Sequence, residues 1–386
     1  MFQGFLSSSA RAVAVPGRVN LIGEHIDYHG LDVLPMALGR RVRVRFVPRG
    51  DGRIEALSQN GYGRRGFEWR AGLRTVAEGD WENYLRAAAA TVGARWGVGR
   101  GVNAEVDSDL PAAAGLSSSS ALYAGFVLAL LEANGIRARF EELMELLPPG
   151  EQFVGTRGGG MDHAAVLGAQ RGCALRVSFS PVRVRPVPVP EDWAFLVAHS
   201  LTTAQKSGAA REEYNARRQA GHTALARLGL GSYWEAREED ATRLATELER
   251  DSFLHVTTER QRVEEAVRLM ELGDAEAFGA LLHASHKSLR ERLKVSSPAL
   301  DRLVEAACEA GALGARLTGA GFGGCIVALC RRPERAVVRE RLKAGFYAGR
   351  GEFDEARHLI DAEAGAGALS VVNQSVRFYS HVICPH

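Results

Sequence analysis

The sequence predicts an α+β fold, and three observations carry that prediction. Over the first half, segments with the period of two expected of half-buried strands alternate with helix-period segments. A block of mostly helical pattern follows at residues 205–311, with charged faces and apolar spacings of three and four. A glycine-rich turn then feeds a buried strand within residues 317–329. Strands and helices followed by a helix block argue for α+β rather than a doubly wound parallel sheet. Pro186, Pro188 and Pro190 interrupt the chain near its middle, so the expected division is 1–190 and 191–386.

The elements follow in order. Residues 11–15 read as a short strand ending at Pro16-Gly17, and 17–28 as a strand running into a loop crowded with charge. Residues 42–47 (VRVRFV) and 102–106 alternate as strands, and 81–92 reads as a helix. Residues 139–147 form a helix that Pro148-Pro149-Gly150 should stop. Residues 173–178 and 182–189 read as paired strands, the prolines confining the second to an edge, and 194–198 as an apolar strand.

Composition narrows the class. Lys and Arg number 48 against 46 Asp and Glu, a formal charge of +2, which gives no global argument for nucleic acid or an anionic membrane. The longest apolar run, 121–131, is too short to span a bilayer, and the N-terminal stretch lacks the pattern of a signal peptide. The five cysteines are scattered without CxxC pairs, as in a reducing compartment, so a cytoplasmic protein is expected. No feature sets an oligomeric state; a monomer is the expectation.

The segment PAAAGLSSSSA stands out. A small-residue loop meets serines 117 to 120 at the start of an apolar helix. The first N–H groups of such a helix point outward with the positive end of the dipole behind them, which suits phosphate. The alternative is a serine-capped buried helix with no ligand. His283 and His286 lie three apart on a helix without acidic or cysteine partners, and a structural role is expected for both.

Four motifs, GRVNLIGEHIDY, PAAAGLSSSSA, GGGMD and TGAGFGGC, together resemble the galactokinase family of the GHMP kinase superfamily. The stretches EHIDYHGLDVLPMA, GLSSSSAL, TRGGGMD and SFSPVR are also similar to eukaryotic N-acetylgalactosamine kinases. His163 departs from the pattern, since the family usually carries Gln after its catalytic Asp; residues after 369 have no counterpart.

The resemblance implies a two-lobed GHMP kinase fold with the active site in the cleft between the lobes, ATP and magnesium as cofactors, and a sugar as substrate. It implies Asp162 as catalytic carboxylate and Arg18 as its charged partner. Glu24, His25, Ile26 and Asp27, with Gly159 and Tyr214, are the implied sugar-binding set. Ala113, Ala114, Gly115, Leu116, Ser117, Ser118 and Ser119 are the implied phosphate cradle, Ser119 also reaching magnesium. Glu151 is the second candidate for magnesium, one position from the family's usual spacing; otherwise it is an exposed glutamate beside a helix end. Asp162 also suits a helix N-cap, and Tyr214 a helix surface. The expected reaction is ATP-dependent phosphorylation of the anomeric hydroxyl of galactose, with N-acetylgalactosamine and L-arabinose as alternatives. A galactose- and ATP-binding sensor without turnover is the alternative of another class. A glycine-rich loop at 318–325 is expected to close the site from the second lobe.

Overall fold

The first strand, β1 (Arg11–Ile22), continues through the Pro16-Gly17 pair where the sequence predicts its end. Pro16 has no N–H for the ladder, so pairing with β2 (Leu34–Pro48) shifts register between Pro16 and Arg18 and resumes at Arg18↔Ala37. At that irregularity the Arg18 amide donates to the Leu116 carbonyl at 3.1 Å, which ties β1 to the serine loop. The structure, a computed structural model, describes residues 10–111, 114–155, 158–202, 209–372 and 375–378. Ala113 of the implied phosphate cradle lies outside the described residues.

After β2 come β3 (Arg53–Ser58), β4 (Arg64–Glu68), α1 (Glu82–Trp96), β5 (Val102–Ser108), α2 (Ser118–Ala133), α3 (Phe140–Glu151) and α4 (Met161–Gly168). The hairpin β6 (Cys173–Ser178) and β7 (Arg183–Pro188) forms the two-stranded sheet that the prolines demand. Then follow β8 (Trp193–His199), α5 (Ala209–Leu228), α6 (Glu247–Leu272), α7 (Ala275–Glu291), α8 (Pro298–Glu309), β9 (Gly314–Thr318), β10 (Cys325–Arg331) and β11 (Leu359–Asp361). The last strands are β12 (Leu369–Val372) and β13 (Ser375–Phe378). No helix among the described residues is long and apolar enough to cross a membrane.

A seven-stranded sheet has the order β13-β12-β1-β2-β5-β3-β4, antiparallel except at β3–β5. Residues 370–372 and 375–378, in a stretch for which the sequence offers no role, extend this sheet, and Ala14 faces Leu369. The edge of β1 would otherwise leave a row of unpaired backbone groups. A division that gives all of 191–386 to a second lobe therefore does not describe this pairing, because strands from both ends of the chain share one sheet.

The second sheet, β11-β8-β10-β9, is buried on both faces, and the period of two shows how. Trp193, Phe195 and Val197 of β8 join the main core, while Ala194, Leu196 and Ala198 join a second core with Leu300, Leu303 and Ala307 of α8. α2 packs on β1, β2 and α1, with Leu128 and Leu130 fully enclosed.

One helix outruns its expected end: α3 continues through Pro148-Pro149-Gly150 to Glu151. Tertiary packing overrides the local breaker. Gly150 lies so close to the Tyr123 hydroxyl and Thr91 Oγ1 that a Cβ there would fall 2.0 and 2.2 Å from them. That contact holds the last turn against α1 and α2 and delivers Glu151 to the start of α2.

Candidate active site

Three of the motifs converge. Arg18, on β1, donates from Nε to Asp162 Oδ1 at 2.7 Å and from Nη1 to the Gly115 carbonyl at 2.6 Å. One guanidinium fork therefore joins the first motif to the serine loop and to α4. Asp162 Oδ2 accepts from Ser117 Oγ at 2.7 Å and lies 3.4 Å from Ser120 Oγ. Burial alone would push the Asp162 carboxyl up, but Arg18 and the Ser117 hydroxyl outweigh it and hold the group below its ordinary value. It does not cap its helix: Gly160 is at the N-cap of α4, and Asp162 stands inside the first turn.

The start of α2 differs from a serine-capped helix. Its N-cap, Ser117, has φ 56 and makes no side-chain cap; its hydroxyl goes to Asp162 instead. The first N–H groups of α2 thus keep no side-chain acceptor, as an anion site requires. Positive φ recurs at His25 (62) and Phe322 (61), giving one left-handed non-glycine residue in each of three motifs. Such residues cost about 1–3 kcal/mol each and persist where surrounding contacts impose them. Ala114 and Leu116 are buried, so only their backbone can face a ligand, whereas Ser118 and Ser119 are half-exposed. Ser119 meets the Tyr84 hydroxyl.

The implied sugar-binding set divides. Asp27 accepts from the Gly159 amide at 3.0 Å, and a Cβ on Gly159 would fall 2.5 Å from the Asp27–Tyr28 peptide, so a side chain has no room there. Burial, with Asp162 and Glu24 nearby, pushes the Asp27 carboxyl up to about 6. The Tyr214 ring lies 5.2 Å from His25 and 5.8 Å from Tyr28, closing the same side. Glu24 faces inward: its Oε1 accepts from the Gly319 amide at 2.6 Å and from the Thr318 hydroxyl at 3.3 Å. His25 has neither ring nitrogen left for a sugar. Its Nε2–H donates to the Ala320 carbonyl at 3.2 Å, and its Nδ1 accepts from the Tyr28 hydroxyl at 2.9 Å. Burial and neighbouring His255 push its pKa down to about 3, which keeps this ring neutral. The Ile26 side chain is fully enclosed in the core.

Behind this loop stand residues that sequence reasoning missed. Glu259 on α6 accepts from the Gly23 amide at 2.9 Å, from Ser285 Oγ at 2.7 Å and from Arg262 Nε at 2.7 Å. Burial raises its pKa, but Arg262, His255, Arg316 and the Ser285 hydroxyl bring it down to about 2. His255 donates to the Glu24 carbonyl at 3.0 Å, and buried Arg316 donates to the Leu21 carbonyl at 3.0 Å. The legible signal was Glu259 itself, a carboxylate on the apolar stripe of Val256, Val263 and Ala266. His286 is structural, set between the Leu317 amide and Asp301, an acidic partner that the sequence did not offer, and His283 Nε2 lies 3.4 Å from Cys308 Sγ.

Glu151 is not the exposed glutamate of the alternative reading. It is buried at the end of α3, accepts from Ser120 Oγ at 2.7 Å, and has His163 Nε2 3.5 Å from its Oε2. Among the described residues no group of three or more His, Cys, Asp or Glu forms a metal cage. A buried carboxylate and a serine hydroxyl at a phosphate-type helix start are nevertheless the hard oxygen donors that suit magnesium, which takes its remaining ligands from water and phosphate.

Comparison with known proteins decides the family. The galactokinase galactose-binding signature matches residues 2–47, the GHMP kinases N terminal domain 83–169, and the GHMP kinases C terminal domain 264–348. Galactokinases of Mycobacterium bovis and Chloroflexus aurantiacus are each 36% identical to this chain, covering 81% and 85% of it and 87% and 85% of their own lengths. The chain belongs to the galactokinase family. A galactokinase structure of Lactococcus lactis complexed with galactose, 26% identical, matches with a TM-score of 0.85 over 94% of this chain and 95% of that one. The galactokinase signature holds Arg18, Glu24, His25, Ile26 and Asp27; the N-terminal GHMP match holds the serine loop, Glu151, Gly159 and Asp162. Tyr214 falls outside all three matches and rests on its ring contacts alone.

Proposed function

We propose that this protein is a galactokinase, transferring the γ-phosphoryl group of ATP to the anomeric hydroxyl of galactose to give galactose 1-phosphate and ADP. The observation that carries the reading is the Asp162 carboxylate, held by Arg18 and Ser117 beside the uncapped start of α2. Phosphates belong at that helix start, and the sugar beside Asp27, Gly159 and Tyr214. In the transfer, the anomeric oxygen bonds to the γ-phosphorus as the bridging oxygen departs with ADP, and the hydroxyl proton goes to Asp162. A carboxylate held below its ordinary pKa is a weak base, so the proton moves late, in keeping with a loose transition state. Arg18 keeps Asp162 ionised and offsets negative charge nearby. Ser119 and Glu151 are the residues that would hold magnesium, which supplies charge neutralisation at the phosphates.

The test is ADP release from ATP with galactose, N-acetylgalactosamine and L-arabinose compared side by side. Galactose should give the highest kcat/KM, as the family membership favours. Saturable galactose binding without ADP release would replace the kinase by a sensor.

The raised Asp27 pKa gives a second expectation. A carboxylate that must ionise to accept a sugar hydroxyl binds more weakly below its pKa. KM for galactose should therefore climb as pH falls through about 6, approaching tenfold per pH unit below it. At saturating galactose kcat should hold over the same interval, because Asp162 remains ionised. A flat KM between pH 5 and 7.5 would remove Asp27 from sugar binding.

A further inference from the structure

His163 has surroundings that give it work that a packing residue does not have. It occupies the first turn of α4, 2% exposed, with its ring edge-to-face on Tyr123 at 5.8 Å. Neither ring nitrogen has a hydrogen-bond partner among the described residues. Each polar atom buried in that state costs about 1–3 kcal/mol, which a Leu or Met at the same place would avoid. One ionisable contact relieves it: Nε2 lies 3.5 Å from Glu151 Oε2, on a carboxylate whose Oε1 already accepts from Ser120.

We propose that His163 is a positioning residue for Glu151, its Nε2–H holding Oε2 while the Ser120 hydroxyl holds Oε1. The carboxylate is thereby fixed in orientation between two donors at the start of α2. A shortening of the 3.5 Å separation by a few tenths of an ångström would make it a hydrogen bond. A Gln here would present an amide N–H in place of the imidazole N–H, so both residue types can supply the donor. Outer partners of metal-binding carboxylates typically change metal affinity by about 10–100-fold when removed. The inference rests on the assignment of Glu151 to magnesium.

The experiment titrates ATP into the full-length protein by calorimetry, with and without magnesium, and measures the magnesium dependence of turnover alongside KM for galactose. His163→Leu should weaken magnesium-dependent ATP binding about 10–100-fold, leave metal-free ATP binding and KM for galactose unchanged, and be rescued by His163→Gln. If the Leu variant does not fold, His163→Met, flexible and without an N–H, carries the same expectation. A folded Leu or Met variant with wild-type magnesium dependence would overturn the proposal, as would a Gln variant as weak as Leu. Glu151→Gln tests the underlying assignment separately: wild-type magnesium dependence in that variant would overturn both.

Discussion

Asp162→Ala should lower kcat by about 10²–10⁴-fold, the range that general-base removal costs, while ATP binding changes little. The split follows from the geometry. Asp162 touches Arg18 and Ser117, whereas the outward N–H groups of α2 do not depend on its carboxylate for direction. The Ala variant also leaves the Arg18 guanidinium, 7% exposed, without its anion, so some loss of thermal stability will accompany it. Asp162→Asn separates the effects. It keeps the shape and an oxygen for the Arg18 Nε–H, but it cannot take a proton or carry charge. Its kcat should fall as far as that of Ala, with a smaller change in Tm. Coupled ADP release and calorimetric ATP titration measure the two arms, and a near-normal rate in the Asn variant would take the proton from Asp162 and give it to solvent.

What the sequence revealed and what it concealed follow one physical distinction. The resemblance implied Arg18 as the charged partner of Asp162, and the serine cluster pointed to the open helix start at Ser117. The α+β class was legible because strand alternation and the helix block are local patterns, and the GHMP kinase fold came with the resemblance. Residues outside the motifs were not legible: Glu259 reaches Gly23 across 236 positions, and His255 reaches the Glu24 carbonyl across 231. The end of α3 was misjudged because Pro148-Pro149-Gly150 is a breaker in isolation and a packing surface beside Tyr123 and Thr91. Strands β12 and β13 were missed because short strands are recognised by the edge that they complete, and that edge belongs to β1.

His25 shows the distinction within a single motif. The resemblance placed it among the sugar-binding residues, yet the structure spends both of its nitrogens on Tyr28 and Ala320. It links the loop at Ala320 to the signature, just as Glu24 does through Gly319. A motif residue can therefore be required without touching substrate, and only the partners at its polar atoms separate the two cases.

Arg18→Met should be the most damaging single change at the site, because Arg18 serves three elements at once. Its loss frees Gly115, removes the cation beside Asp162, and leaves the Ser117 hydroxyl as the main group opposing burial at that carboxyl. Losing one preorganised donor costs about 10²–10³-fold in kcat, and the displacement of Gly115 and Asp162 should add to it. Breaking a fully buried ion pair costs about 3–5 kcal/mol, and this pair should cost less because the Asp162 side chain is 28% exposed. The pH dependence identifies the cause. In the wild type the Asp162 pKa is depressed on folding, so its stabilisation is present above the ordinary carboxylate value and is lost only as pH falls through the folded one. Without Arg18 the carboxyl should titrate higher, and the stabilisation that ionised Asp162 gives above the ordinary carboxylate value should shrink. A new acid limb should then appear in kcat at saturating galactose. Arg18→Lys preserves the charge but not the fork that spans Gly115 and Asp162, so it should recover the pH profile more fully than the rate. The measurements are Tm against pH and kcat against pH for both variants. An Arg18→Met enzyme with the wild-type acid limb and near-normal kcat would show that Asp162 is kept ionised by something other than this guanidinium.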